Sequence, residues 1–193
     1  MTARLTVLSG PSGVGKGTVV EAVRRRHPDV WVSVSVTTRR PRPGEVDGVH
    51  YHFIDRDEFD RVAGAGELLE YAQFDGNGYG TPRTPLELHR AAGAPTLLEI
   101  ELQGARQVRA ADPQAQFVFL APPSWEELQH RLRGRATESP ERVAARLERA
   151  RVEMEAVSEF DAVVVNDDVE RAAAELVGLI AAVCPVPGTT AHP

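Results

Sequence analysis

The chain has 193 residues, of which 42% are hydrophobic, and its formal net charge at pH 7 is −6. This length and apolar content predict one sizeable core with room for small inserted subdomains. The negative charge balance argues against general nucleic-acid or anionic-membrane partners, and no apolar run approaches transmembrane length. A single cysteine, Cys184, excludes an intramolecular disulfide and, with no secretory signal pattern at the N-terminus, favours a cytoplasmic protein.

The first predicted elements are a short apolar strand at 5–9, a glycine-rich loop, and a helix that reaches about His27. The loop consists of Gly10, Pro11, Ser12, Gly13, Val14, Gly15, Lys16, Gly17 and Thr18. Its glycines lack the Cβ atoms that would keep the backbone from curling around a phosphate, and Lys16 can reach the β- and γ-phosphates of a nucleotide. A glycine-rich turn without function is the alternative, but the position between a strand and a helix favours a Walker A phosphate-binding loop.

Two further features of this loop bear on its function. Lys16 is the only lysine among twenty-two Lys and Arg residues. Arginine therefore serves wherever the chain needs only positive charge, and a compact ammonium is kept where a planar guanidinium fits poorly. Gly17 stands where a serine or threonine usually supplies a hydroxyl to Mg²⁺, so Thr18 or water molecules would complete the coordination.

The next stretch, 37–83, is predicted to be a small mixed subdomain. Before it, strict alternation from Val30 to Val36 predicts one strand with its valines in the core. A proline-stiffened loop with several arginines follows, for which a solvated charge run is the alternative interpretation. The remaining predicted elements are short strands at 51–54 and 68–74, a helix at 56–65 and a tight turn at 75–80.

An apolar run at 96–101 predicts another strand, which ends in Glu99 and Glu101. Ligands gather at the carboxyl ends of parallel strands, so both acids are placed to face the site, although we expect one of them to be structural only. A helix to about Ala111 and a strand at 116–120 follow.

Two arginine-bearing helices come next, with an interruption at 137–140. Ser124 and Glu127 predict a capping box at the start of the first helix, and Pro140 suits the first turn of the second, which ends near Ala156. This pattern favours a mobile lid, and the alternative is a salt-bridged surface hairpin that uses Glu141, Glu148 and Glu153. The last predicted elements are a strand at 162–165, a helix to about Val183 and a disordered tail at 185–193.

Alternating strands and helices with short connections predict an α/β fold around a mostly parallel sheet flanked by helices. Taken together, the stretches also resemble guanylate kinases, which move the γ-phosphoryl group of ATP onto GMP. The resemblance covers nearly the whole chain, from the loop at 10–18 to the turn at 165–168. Its most specific parts are the stretch 34–45 and Tyr51, and the stretches 66–70, 76–81 and 100–104 also support it.

The resemblance implies a P-loop nucleoside monophosphate kinase fold in a single domain, 1–184. Its core would comprise about 1–36, 84–126 and 157–184. The inserted GMP-binding subdomain would be the mixed α/β stretch at about 37–83, and the helical lid would be about 127–156.

The resemblance also implies the roles of individual residues. The GMP phosphate would be held by Arg39, Arg42, Tyr51 and Tyr79. The guanine would be read by Ser35, Glu70 and Thr81, with Glu101, where the family usually has aspartate, near the guanine and the metal. The ATP phosphates would be held by the loop at 10–18 and by the lid arginines Arg131, Arg135 and Arg146, and the adenine would contact Asn166. Ala136 replaces a usual glycine of the lid.

Chemistry agrees with these roles. The pairing edge of guanine presents two adjacent donors that one carboxylate can accept together, whereas adenine presents a lone pair at N1. The nucleophile, a GMP phosphate oxygen, is already anionic, so no general base is required. Lys16, Mg²⁺ and the lid arginines would neutralise charge on the transferring group, and Arg39 and Arg42 would offset the repulsion between the two substrates.

The predicted function is therefore a guanylate kinase that uses ATP and Mg²⁺ and acts on GMP and dGMP in purine nucleotide metabolism. We expect no nucleic-acid or membrane partner, and no residue is assigned as a metal ligand, although Thr18 and Glu101 are candidates to lie near Mg²⁺. Two alternatives remain open: a non-enzymatic binding module of the same fold, and a P-loop kinase for another phosphate acceptor.

Overall fold

The computed structural model describes residues 3–74, 76–133 and 140–183. Within these ranges the strands are β1 (Leu5–Ser9), β2 (Trp31–Val32), β3 (Val36–Thr37), β4 (His52–Phe53), β5 (Leu68–Phe74), β6 (Asn77–Pro82), β7 (Thr96–Glu99), β8 (Gln116–Ala121) and β9 (Ala162–Val165). The helices are α1 (Lys16–Arg26), α2 (Arg56–Gly64), α3 (Arg83–Ala91), α4 (Leu102–Ala111), α5 (Trp125–Arg133), α6 (Pro140–Glu155) and α7 (Val169–Val183), with a 3₁₀ turn at Ala156–Glu159. None of these helices is long and apolar enough to cross a lipid bilayer.

The main sheet is parallel and has the strand order β2-β7-β1-β8-β9. Each face of this sheet is covered by its own hydrophobic core. Because side chains alternate across a strand, adjacent residues pack in different cores. Leu8 packs in the core that contains residues of α1 and α7, whereas Val7 packs in the core that contains residues of α3 and α4. A parallel sheet buried on both faces is the architecture that strand–helix alternation predicts, so the predicted fold class is confirmed.

A second, mixed sheet lies within residues 36–82 and has the order β4-β3-β6-β5. The pair β3–β4 is parallel, whereas β6 pairs antiparallel with both β3 and β5. Helix α2 packs against this sheet through Phe59 and Val62, which share a small core with Val36 and Leu68.

The prediction of a single strand from Val30 to Val36 is wrong. Its first part, β2, belongs to the main sheet, where the Trp31 and Ser33 N–H groups donate to the carbonyls of residues 95 and 97. Its last part, β3, pairs with β6 in the second sheet. The alternating valines are buried first in the main sheet, at Val32, and then in the second sheet, at Val36. Val34, at the break between the two sheets, is only partly buried. The break carries the chain from one sheet into the other.

The tight turn predicted at 75–80 is also wrong beyond Gly76, because residues 77–82 form β6. The two glycines of β6, Gly78 and Gly80, are required by close packing rather than by a turn. A Cβ at Gly78 would lie 2.7 Å from the Phe59 ring, and one at Gly80 would lie 2.7 Å from a Leu68 methyl group.

The sequence pattern does not predict helix α3, because Leu86 is its only buried residue. The other predicted helices are confirmed to within a few residues where the structure describes them. The interruption at 137–139, Arg135, Ala136, Cys184 and the tail at 185–193 lie outside the described residues.

Candidate active site

The glycine-rich loop connects β1 to α1, as predicted, and its backbone curls through two left-handed glycines, Gly13 (φ 87°) and Gly15 (φ 97°). Lys16 begins α1 and is buried, with 8% of its surface exposed. Its Nζ donates to the Gly10 carbonyl at 2.6 Å and lies 3.4 Å from Glu101 Oε1. The Lys16 ammonium therefore lies folded back against its own loop. The positive end of α1 and the loop amides favour the binding of an anion there.

The acids at the end of β7 both lie near this ammonium. Burial raises the pKa of Glu99, the Lys16 charge opposes that shift, and the Glu101 charge adds to it. Glu101 occupies the N-cap position of α4 without a capping hydrogen bond from its side chain. It pairs with Lys16, and its Oε2 is buried with no hydrogen-bond partner. A Cβ at Gly17 would lie 3.9 Å from Glu99 Oε1, which is ordinary contact, so packing leaves room for a side chain there. The expectation that one of the two acids is structural only is untested.

Arg131 and Asn166 both donate hydrogen bonds to the same carbonyl oxygen of the loop. Asn166 Nδ2 donates to the Val14 carbonyl at 2.7 Å, and Arg131 Nη1 donates to the same oxygen at 3.2 Å. Arg131 also donates to the Asn166 carbonyl and to Glu127. Asn166 Oδ1 is buried with no partner, which leaves an acceptor beside the loop.

Helix α6 holds the loop from another side, through Ser12. Arg146 Nη2 donates to Ser12 Oγ at 3.2 Å, and Glu153 Oε2 accepts from the Ser12 N–H at 2.8 Å. Glu153 is 6% exposed, and burial raises its pKa to about 7. Sequence reasoning gave Glu153 only a surface role, since a glutamate on a charged helix carries no local signal of a contact 141 residues away.

Glu70 lies on β5 and is buried, with 4% of its surface exposed. Its Oε1 accepts a hydrogen bond from Thr81 Oγ1 of β6 at 2.7 Å. Burial raises the pKa of Glu70 to about 7, although the hydrogen bonds from Thr81 act in the opposite direction. Ser35 lies at the break between β2 and β3, and its carbonyl accepts from the His52 N–H.

The residues predicted to hold the GMP phosphate form a second cluster. The rings of Tyr51 and Tyr79 are 6.0 Å apart, and the Arg39 guanidinium lies 5.4 Å from the centre of the Tyr51 ring. Burial raises the pKa of Tyr51 to about 12, so its hydroxyl stays protonated and can donate. The Arg42 side chain lies at the exposed rim.

Glu45, for which the sequence pattern predicts no individual role, organises this cluster. It accepts from Arg39 Nη1 and Nη2 at 2.9 and 2.8 Å, and from the Arg42 N–H at 2.7 Å. The Arg39 guanidinium lowers the pKa of Glu45. The fork-to-fork geometry fixes the plane of the guanidinium beside Tyr51.

Helix α4 connects the loop side of the site to the buried Glu70 carboxylate. Its capping residue, Glu101, pairs with Lys16, and Gly104, three residues later, lies against the Glu70 carboxylate. Gln107 of the same helix exchanges two hydrogen bonds with the Tyr71 backbone. The phosphate-binding loop and the buried carboxylate thus lie at the two ends of one helix turn.

Comparisons with known proteins agree with this geometry. The family model for guanylate kinase matches residues 2–183. Guanylate kinase from Frankia casuarinae is 68% identical over 176 residues, which are 91% of this chain and 96% of the relative. Guanylate kinase from Thermobifida fusca is 64% identical over 179 residues, 93% of this chain and 91% of the relative.

A solved structure is similar as well. The crystal structure of guanylate kinase from Anaplasma phagocytophilum superposes with a TM-score of 0.78 at 34% identity, over 96% of this chain and 88% of that one. The matched region includes the glycine-rich loop, Glu70 with Thr81, helix α4, and the cluster of residues predicted to hold the GMP phosphate. The chain therefore belongs to the guanylate kinase family.

Proposed function

We propose that this chain transfers the γ-phosphoryl group of ATP to GMP, giving ADP and GDP, and that it accepts dGMP as well. The observation that carries the proposal is the single helix turn that joins Lys16, through Glu101, to the buried carboxylate of Glu70. One end of this turn would face the ATP polyphosphate, and the other would face a purine with adjacent donors.

Glu70 would select guanine. When ionised, its carboxylate accepts the N1–H and N2 amino donors of guanine together, with Ser35 and Thr81 as further contacts to the base. Adenine would place a lone pair against the same buried charge, and an unpaired buried charge is strongly unfavourable. The assigned contacts lie on the base and the phosphate, so a ribose 2′-hydroxyl is not needed, which supports the use of dGMP.

Arg39, Arg42, Tyr51 and Tyr79 would hold the GMP phosphate. Charge-assisted bonds from guanidinium groups suit a phosphate dianion, and the phenol hydroxyl groups add donors at its edge. Glu45 already holds Arg39 in one orientation, so GMP would meet a positioned cation. A positioned donor loses less conformational freedom on binding than a mobile one.

The loop at 10–18, with Lys16, would hold the β- and γ-phosphates of ATP, and Asn166 would contact the adenine through its unpartnered Oδ1. Arg131 and Arg146 already touch the loop, and Arg135 belongs to the same proposal. These cations would stabilise the charge that spreads over the transferring group.

Catalysis would then be positioning and charge stabilisation. A GMP phosphate oxygen attacks the γ-phosphorus in line, the bond to the β-phosphate oxygen breaks, and ADP leaves with that oxygen. The attacking oxygen is an anion, so no side chain has to remove a proton. Closure of the residues at about 127–156 would exclude water and limit ATP hydrolysis.

The residues beside Lys16 fit a Mg²⁺ carried by ATP. Glu101 Oε2 is a buried carboxylate oxygen with no partner, and Thr18 is an exposed hydroxyl in the first turn of α1. Oxygen ligands of this kind, with water, suit Mg²⁺, which would neutralise phosphate charge when bound. We propose Glu101 and Thr18 as its neighbours, directly or through water.

An acceptor screen tests the proposal. Purified protein is supplied with Mg²⁺ and ATP and with GMP, dGMP, AMP, UMP or a sugar phosphate, and ADP formation is followed. GMP and dGMP should be phosphorylated, and Lys16→Ala should lose at least about 100-fold in turnover, as expected for loss of a transition-state donor. Preference for another acceptor would indicate a different kinase, and ATP binding without phosphorylation of any acceptor would indicate a binding module.

A further inference from the structure

Gly104 lies against the carboxylate of Glu70 more closely than any other residue type would allow. It is the third residue of α4, and a Cβ built on it would lie 2.3 Å from Glu70 Oε2 and 3.0 Å from Glu70 Cδ. Non-bonded atoms do not approach to 2.3 Å, so a side chain at position 104 and the carboxylate in its present place exclude each other.

We infer that Gly104 is a specificity-determining residue, because the absence of its side chain lets the Glu70 carboxylate occupy the position from which it reads guanine. This inference rests on the proposed role of Glu70. Gly104 acts through Glu70 and touches no reacting atom, so it is a positioning residue.

Local structure gives no other reason for glycine at this position. Gly104 is helical and is absent from the glycines with positive φ. Glycine is also a poor helix former, so alanine would suit the helix backbone better. The third nearest atom, Ile100 Cδ1, lies 3.4 Å from the built Cβ, which is a tolerable contact. The conflict is therefore with the Glu70 carboxylate alone.

The carboxylate has little freedom to move aside and keep its contacts. Glu70 is 4% exposed, and its Oε1 is bonded to Thr81. The backbone beside it is fixed as well, because Gln107 of α4 holds both the N–H and the C=O of Tyr71. A methyl group at position 104 would therefore displace the carboxylate, and a misplacement of about 1 Å is enough to reduce activity strongly.

The test compares Gly104→Ala with Gly178→Ala. Gly178 lies in α7, and a Cβ there would meet no atom within 4 Å, so this variant makes the same chemical change in a helix without the conflict. Steady-state kinetics should show the KM for GMP raised about tenfold or more in Gly104→Ala. Its KM for ATP should change less than about twofold, its GMP-to-AMP preference should fall, and Gly178→Ala should match the wild type.

A double-mutant cycle separates this inference from the proposed function. In a Glu70→Ala background no carboxylate is left to displace, so Gly104→Ala should change the KM for GMP by less than about twofold. If Gly104→Ala alone fails to fold, the double variant, which has no conflict, should fold and bind ATP.

Any of three results would overturn the inference alone. These are a wild-type KM for GMP in Gly104→Ala, an undiminished effect of Gly104→Ala on that KM in the Glu70→Ala background, and a double variant that fails to fold. Unchanged GMP selectivity in Glu70→Ala would overturn the role of Glu70 as well.

Discussion

Replacement of Glu70 by glutamine should stabilise the folded protein at pH 8 and change its stability little at pH 5. Burial raises the pKa of Glu70 from 4.5 to about 7. Between these two values the folded state holds a proton that the unfolded state has lost, so the free energy of unfolding falls as the pH rises through this window. By pH 8 the pKa difference of about 2.5 corresponds to about 3 kcal/mol. Glutamine is uncharged and avoids this cost.

Urea unfolding followed by circular dichroism measures the effect in wild type, Glu70→Gln and the control Glu175→Gln, whose glutamate is exposed on α7. Glu70→Gln should gain up to about 3 kcal/mol over wild type at pH 8 and lose that gain at pH 5, while the control should follow wild type at both. A gain of the same size at both pH values would contradict the reasoning, since it would arise from packing rather than from ionisation. A wild type that is more stable than Glu70→Gln at pH 8 would also refute it.

Three further predictions concern the substrate contacts. The kcat/KM for GMP should rise about tenfold from pH 6 to pH 8 as Glu70 ionises; the same profile in Glu70→Gln would assign the rise to the GMP phosphate instead. Glu153→Ala should raise the KM for ATP several-fold because the partly buried Ser12 N–H loses its acceptor, whereas Glu153→Gln, which keeps an acceptor oxygen, should stay nearer the wild type. Equal effects of the two substitutions in steady-state assays would count against a loop-positioning role. Glu45→Gln should raise the KM for GMP about tenfold because Arg39 loses its charged, forked partner; a lower KM would mean that Glu45 competes with the phosphate for Arg39.

The parts of the fold that depend on neighbouring residues could be predicted from the sequence. The glycine-rich loop carries its own signal, since glycine positions, Lys16 and the flanking strand and helix all lie within about twenty residues. The parallel sheet follows from the alternation of apolar strands with helices. The resemblance to guanylate kinases supplied Glu70 and Thr81, which the structure brings together at 2.7 Å.

Other features depend on partners that are distant in the sequence. The valines at 30–36 carry the pattern of one strand, and only the pairing partners at β7 and β6 show that it is divided. From the sequence, Gly78 and Gly80 predict a turn. In the structure, Phe59 and Leu68 occupy the space that side chains at these two positions would need.

The same limit applied to the site. Glu153, Glu45 and Gly104 act through contacts with Ser12, Arg39 and Glu70, and nothing in the local sequence around them specifies those partners. Their importance could be inferred only once the packing of α4 and α6 was known.

The most direct measurement of the central claim is the ratio of kcat/KM for GMP to that for AMP, determined side by side in wild type and Glu70→Gln. We predict a large preference for GMP in the wild type, and a preference at least about tenfold smaller in Glu70→Gln, whose amide cannot accept both guanine donors. An equal ratio in the two proteins would contradict the claim that a buried carboxylate selects the acceptor.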